Sequence, residues 1–195
     1  MKTKILLLAC VLHFQPVFGQ VAEFQTEFNK INKNLMVGLG SYAVSNFLFS
    51  GIGYSAATTE QAERFHEMNV IWNTVNLSLA VPGYLNAARS GKAMTREEMI
   101  KMQKKTETIF IVNSCLDIGY MSAGLWMRSL APNRQSQEEL LRGYGNSLIL
   151  QGSFLLAFDS FAYLVHHQHS RKLPVLDKIT LNTSVNGIGI RLQID

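Results

Sequence analysis

Two aspartates and a histidine stand in segments that otherwise carry almost no charge, and they are the side chains best suited to chemistry. They are His66, Asp117 and Asp159. Two carboxylates and an imidazole contributed by three helices would bind a divalent metal or pass a proton. Di-metal bundles carry Glu-x-x-His motifs, and this spacing occurs once here, starting at Glu63 ahead of the apolar segment. The sequence therefore does not establish a metal site. His66, Asp117 and Asp159 are kept as weak candidates for metal ligands.

A line of polar side chains follows the second apolar segment at helical spacing. His66, Asn69, Asn73 and Asn76 fall within roughly 80° of one another at 3.6 residues per turn. A buried amide or imidazole costs free energy unless it has a hydrogen-bond partner, so this face is expected to meet another helix, water or a ligand. Interhelical hydrogen bonds that hold a bundle together are the favoured interpretation, and a ligand or ion site is the alternative.

The third and fourth apolar segments carry similar polar faces. An ionisable residue inside a membrane segment is a functional hypothesis by default, because an uncompensated charge is costly there. These faces predict a polar core that binds a small ligand, proton or ion. Its candidate residues are His66, Asn69, Asn73, Asn76, Asn113, Asp117, Tyr120, Gln151, Asp159 and Tyr163.

The elements that must position these side chains are four segments of bilayer length, since a span needs about 20 residues. They are Leu35–Ala56, Phe65–Leu85, Thr108–Met127 and Tyr144–Val165. Each contains a window of roughly 18 residues without Lys, Arg or Glu, whereas a soluble bundle normally shows a charge on every turn. The sequence therefore predicts an all-α membrane protein with a four-helix transmembrane bundle over residues 35–170; a soluble helical bundle is the alternative.

The residues before the first span divide into two parts. Residues 1–19 read as a secretory signal peptide, with Lys2 and Lys4 ahead of an apolar run and a small-residue cleavage site at Gly19. Cys10 also ends a lipoprotein-like box. Residues 20–34 carry apolar side chains at helical spacing, which predicts an amphipathic helix leading into the first span.

The C-terminal tail, residues 171–195, changes period. Two runs of alternating apolar and polar residues, 179–185 and 188–194, flank the pair Asn186-Gly187. This pattern predicts a short β-hairpin. A lone hairpin is marginally stable, so a second function hypothesis is a membrane-anchored interaction protein whose hairpin docks a protein partner or a second copy of the chain.

Sequence signals also predict several helix ends. Thr95 and Glu98 have the spacing of a capping box, and so do Ser136 and Glu139. The pair Pro82-Gly83 is expected to bend or end the second helix.

Composition and motifs limit the remaining function classes. The net charge is +4 and only 16% of residues are charged, with no dense basic cluster, which argues against nucleic-acid binding and favours a lipid bilayer as the partner. No catalytic serine elbow, phosphate loop or dinucleotide fingerprint is present. A non-enzymatic protein is favoured, a metal- or cofactor-dependent membrane enzyme is the third hypothesis, and no cofactor is identified. The signal peptide predicts the bacterial cell envelope, with the inner membrane favoured.

Three blocks of sequence resemble an uncharacterised family. They are 65–77, which reads Phe-His-Glu-Met-Asn-Val-Ile-Trp-Asn-Thr-Val-Asn-Leu, then Asp117-Ile118-Gly119-Tyr120, and 143–152 continuing to Phe158-Asp159. The family consists of small multi-span membrane proteins of Bacteroidota, classed as a domain of unknown function, and the resemblance covers about residues 35–167. It implies a membrane protein and carries no activity.

Overall fold

Four long helices make up almost all of the described chain. The structure is a computed structural model that describes residues 19–89 and 91–173 in full and gives secondary structure alone for 2–18, 179–184 and 187–192. The side chains of residues 1–18 of the predicted signal peptide lie outside the described residues, so the signal peptide and its cleavage at Gly19 stay predictions.

The helices run up and down in sequence order. They are α1 (Lys2–Ser55), α2 (Glu60–Ala88), α3 (Arg96–Leu130) and α4 (Glu138–Ser170). α1 packs mainly on α2, α3 mainly on α4, and the two pairs meet chiefly where α2 contacts α4. The contact between α2 and α4 is therefore the main connection between the two helix pairs.

The helix ends agree with the sequence signals at the start of α3 and differ at the start of α4. Thr95 and Glu98 form the predicted capping box at the start of α3. The box predicted at Ser136 is wrong: residues 135–137 form a 3-10 turn and α4 starts at Glu138 without a side-chain cap. α2 also does not end at Pro82-Gly83, because it continues to Ala88 with Gly83 packed against Met36 of α1; the alternative, a bend at this pair, stays a prediction.

The first described turns of α1 pack across one end of the bundle. Val21, Phe24 and Phe28 are buried against Met99 of α3 and Leu173 after α4. This is the amphipathic stretch predicted over residues 20–34, and it continues without a break into the remainder of α1.

The burial pattern of the four helices is inverted relative to a soluble bundle. Asn69, Asn73 and Gln151 are 0% exposed, whereas Ile52 is 72% and Trp126 65% exposed. The outward-facing apolar side chains, hereafter the apolar belt, are Val37, Val44, Phe47, Leu48, Phe49 and Ile52 on α1, Ile71, Val75, Leu79, Val81 and Leu85 on α2, Ile109, Ile111, Val112, Leu116, Ile118, Leu125 and Trp126 on α3, and Leu150, Phe161 and Leu164 on α4.

Three helices are long and apolar enough to cross a membrane. Within the described residues, these helices are α1, α3 and α4. α2 was also predicted to span but does not meet this criterion, because its inward asparagines lower the average hydropathy of the segment. The four predicted helices are thus confirmed, and three of them are compatible with a membrane span by length and composition.

Two strands end the chain. β1 (Ile179–Ser184) and β2 (Gly187–Leu192) pair antiparallel, with Ser184 opposite Gly187. The turn between them and the side chains of both strands lie outside the described residues. The predicted hairpin and its docking role therefore stay predictions.

Candidate functional site

Asn69 is the centre of a hydrogen-bonded group in the middle of the bundle. Its side-chain oxygen accepts a hydrogen bond from the Ser147 hydroxyl (2.7 Å) and another from the Gln151 amide (2.8 Å). All three residues are 0% exposed. Because both donors come from α4 and the acceptor from α2, these bonds join the two helix pairs of the bundle.

The same group extends to α1 and along α2. The Tyr42 hydroxyl donates to the side-chain oxygen of Gln151 (3.2 Å). The Asn73 amide donates to the Asn69 carbonyl (2.8 Å), and the Asn76 amide donates to the Asn73 side-chain oxygen (3.3 Å). The interhelical contacts that the asparagine stripe predicts are thus made by Asn69, whereas these bonds of Asn73 and Asn76 stay within α2. The amide network, as we call this group, consists of Tyr42, Asn69, Asn73, Asn76, Ser147 and Gln151.

Asp117 of α3 and Asp159 of α4 form a buried carboxyl pair next to the amide network. Asp117 is 2% and Asp159 5% exposed, and their side chains lie next to each other. Asn113 lies beside Asp159. An ionised carboxylate only accepts hydrogen bonds, so a bond between the two carboxyls requires a proton on one of them.

The carboxyl pair borders a cavity of about 130 Å³. Trp72 and Asn76 of α2 and Tyr120 of α3 line the same cavity. One Asp117 oxygen, Oδ2, and the Trp72 indole nitrogen are buried without a conventional hydrogen-bond donor or acceptor beside them. By its size the cavity holds a few water molecules or a small ion next to the carboxyls.

Glycines set the distance between α3 and α4 that allows the carboxyls to meet. A Cβ on Gly124 would lie 2.6 Å from the Gly145 carbonyl oxygen, and one on Gly145 would lie 2.7 Å from the Gly124 carbonyl oxygen. A Cβ on Gly152 would lie 3.0 Å from the Asp117 carbonyl oxygen. The two helix backbones are therefore in direct contact from Asp117 to Gly124 of α3.

Two of the predicted core residues lie away from this site. His66 packs against Gly53 and beside Phe49 near the end of α1, ten residues and roughly 15 Å along α2 from Asn76. Tyr163 stacks on His167 one turn beyond Asp159. Among the described side chains, no group of three or more His, Cys, Asp and Glu residues is arranged to hold a metal ion. The geometry therefore does not bring His66 to the carboxyls.

The comparison with known families covers the helices that hold the site. Residues 38–160 match a family of unknown function, DUF6992. The chain belongs to this family. No curated protein and no solved structure matches it. The DUF6992 region includes the whole amide network and both carboxyls, which agrees with the resemblance to an uncharacterised domain; the restriction to Bacteroidota stays a prediction.

Several interior polar residues in the described part of the chain were not among the predicted candidates. Tyr42 and Ser147 belong to the amide network and lie in the DUF6992 region. Gln103 also lies in that region, and His166 lies beyond it; Gln103 donates to the His166 carbonyl (2.7 Å), and the His166 ring packs between Phe28 and Phe110. Ser147 could have been found from its position four residues before Gln151, on the same helical face.

Proposed function

We propose that this protein is an integral membrane protein whose four helices all cross the bilayer around a polar interior. The observation that carries the proposal is the inverted burial: amides and carboxyls inside, and the apolar belt outside. In water, exposed apolar surface of this extent is unusual for a monomer. The belt extends over roughly 20 to 26 Å along each helix at 1.5 Å per residue, close to the thickness of a hydrocarbon core.

The proposal includes α2, although its average hydropathy is too low for a span. Its polar residues Asn69, Asn73 and Asn76 are buried and bonded within the bundle. Its outward side chains, from Ile71 to Leu85, belong to the apolar belt. Lipid contacts only the outward face, so the composition of that face is what determines whether the helix is stable in a bilayer.

The proposed activity is the binding of a proton at Asp117 and Asp159 that a small monovalent cation can replace. Two unprotonated carboxylates this close repel each other strongly, so the pair needs one positive charge between them. The side chains beside the pair that carry oxygen atoms able to coordinate a cation are those of Asn76, Asn113 and Tyr120. Hard oxygen ligands suit protons and alkali cations and do not select soft transition metals.

Fractionation tests the membrane location. We expect the full chain, expressed in a bacterial host, to sediment with membranes, to resist an alkaline carbonate wash and to be released by mild detergent, because the apolar belt needs lipid or detergent around it. Recovery of the chain in a soluble fraction without detergent would contradict the proposal.

A double substitution tests the carboxyl pair. We expect the infrared spectrum of the wild-type protein to contain the carbonyl stretch of a protonated carboxylic acid at neutral pH, and D117N/D159N to lack it. At pH 8, sodium chloride should raise the melting temperature of the wild type above its value in choline chloride and leave D117N/D159N unchanged.

The control for this experiment is E23Q/E97Q, which removes two exposed carboxylates elsewhere. It should keep both the infrared band and the sodium response. A band that persists in D117N/D159N, or a sodium response equal in all three proteins, would refute the proposed site.

A further inference from the structure

A basic crevice of about 640 Å³ lies between the first described turns of α1 and the end of α2. Its polar walls are Gln25, Asn29, Lys30, Lys33, Asn34 and Arg89, and none of the described residues that line it is Asp or Glu. The Gln25 side chain joins α1 to the loop after α2 at this crevice: it donates to the Lys92 carbonyl (3.1 Å) and accepts from the Met94 amide (3.0 Å). The crevice is thus bounded by a fixed connection between α1 and the loop that follows α2.

Among the described residues, the cations of the basic crevice have no carboxylate partners. Lys30, Lys33 and Arg89 are exposed, and no ion pair joins any of them to a described residue. Lys33 lies with its ammonium 5.6 Å from the centre of the Tyr84 ring, an arrangement that orients the cation without neutralising it. The crevice therefore presents uncompensated positive charge.

The basic crevice also lies at the rim of the apolar belt. Lys33 is four residues from Val37 on α1, and Arg89 is four residues from Leu85 on α2, which is roughly 6 Å in each helix. Val37 is 50% and Leu85 47% exposed. A molecule with a phosphate in the crevice and acyl chains beside these apolar residues would satisfy both surfaces at once.

The two ends of the bundle also differ in charge, and the end with the crevice is the more basic one. At the end with the crevice, residues 19–34, 86–107 and 166–173 hold ten Lys or Arg and five Glu. At the opposite end, residues 56–67 and 128–142 hold four Arg and five Glu. An anionic lipid surface is attracted to the first end and not to the second.

We infer that the basic crevice binds the headgroup of an anionic phospholipid. The phosphate accepts hydrogen bonds from Lys30, Lys33 and Arg89, and the acyl chains follow the groove between α1 and α2 over the apolar belt. The inference rests on the membrane location proposed above and is independent of the carboxyl pair.

Lipid binding to the full chain purified in a neutral detergent tests the inference. Native mass spectrometry would count bound phosphatidylglycerol and phosphatidylcholine of matched acyl chains. We expect phosphatidylglycerol to bind selectively, and K30Q/K33Q to bind it roughly 30-fold more weakly, since each cation near an anionic surface contributes about a fivefold factor. K104Q/R171Q, which removes two exposed cations at the same end, should bind like the wild type.

Each other outcome overturns the inference. Equal binding of the two lipids, or full binding by K30Q/K33Q, would exclude a headgroup site. An equal loss in K104Q/R171Q would mean that diffuse charge, not the crevice, attracts the lipid. Displacement of the lipid by millimolar inorganic phosphate would assign the crevice to a soluble anion. D117N/D159N should retain lipid binding, so failure of the carboxyl site would leave this result unaffected.

Discussion

Replacing Gly124 by leucine is expected to prevent normal packing of α3 on α4. A Cβ at this position would already lie 2.6 Å from the Gly145 carbonyl oxygen and 2.9 Å from Ile149. Backbone atoms cannot move aside as a flexible side chain can, so the helices must separate. We expect G124L to lose at least about 3 kcal/mol of stability, at the upper end for overpacking, measured as a fall in melting temperature in detergent.

Gly119 offers a matched control on the same helix. A Cβ there meets nothing within 4 Å, and the position faces outward beside Ile118 of the apolar belt. G119L should melt near the wild type, and G119A should be slightly more stable, because alanine favours a helix over glycine by roughly 0.5–1 kcal/mol. If G124L and G119L melt alike, the close contact of α3 with α4 does not support the fold.

Replacing Asn69 by leucine is expected to have the second largest effect. Leucine has a similar size but no acceptor, so the Ser147 hydroxyl and the Gln151 amide both lose their partner inside the bundle. An unsatisfied buried donor costs about 1–3 kcal/mol. An interhelical hydrogen bond in a membrane protein contributes on average only about 0.6 kcal/mol. We expect N69L to lose roughly 2–4 kcal/mol in detergent unfolding experiments.

Two further variants separate the amide network from a general effect of polarity on α2. T74V removes an exposed hydroxyl that bonds only to the Val70 carbonyl of its own helix, and it should change stability by less than about 0.5 kcal/mol. N69L/S147A removes the Ser147 donor together with its acceptor, so it should recover part of the loss seen in N69L. A melting temperature of N69L equal to that of T74V would argue against a stabilising network.

The contrast between α2 and the other helices has a direct physical cause. A hydropathy average counts every side chain in a window, although lipid contacts only the outward ones. Asn69, Asn73 and Asn76 lower the average of α2 but are buried. Length and the near absence of charge identified the four segments, and the three-dimensional arrangement shows which half of each segment faces outward.

The candidate site was predictable in part. The stripe of asparagines on α2 follows from residue spacing, because positions three and four apart share a face of any helix. Their partners Tyr42, Ser147 and Gln151 depend on how α1 and α4 are rotated and offset against α2, and local spacing does not contain that information. For the same reason the sequence left open whether His66 approaches the two carboxyls, and the structure places it near Gly53 instead.

By itself, the sequence determined that the chain forms long helices, that each carries a polar face within an apolar segment, and that the chain belongs with a family of unknown function. These are local properties, set by helical period and by the near absence of charge. Only the tertiary structure decided that Asp117 meets Asp159 while His66 packs near Gly53. The axial offset of two helices is set by where their backbones can touch, and on α3 and α4 that is where Gly124, Gly145 and Gly152 leave room.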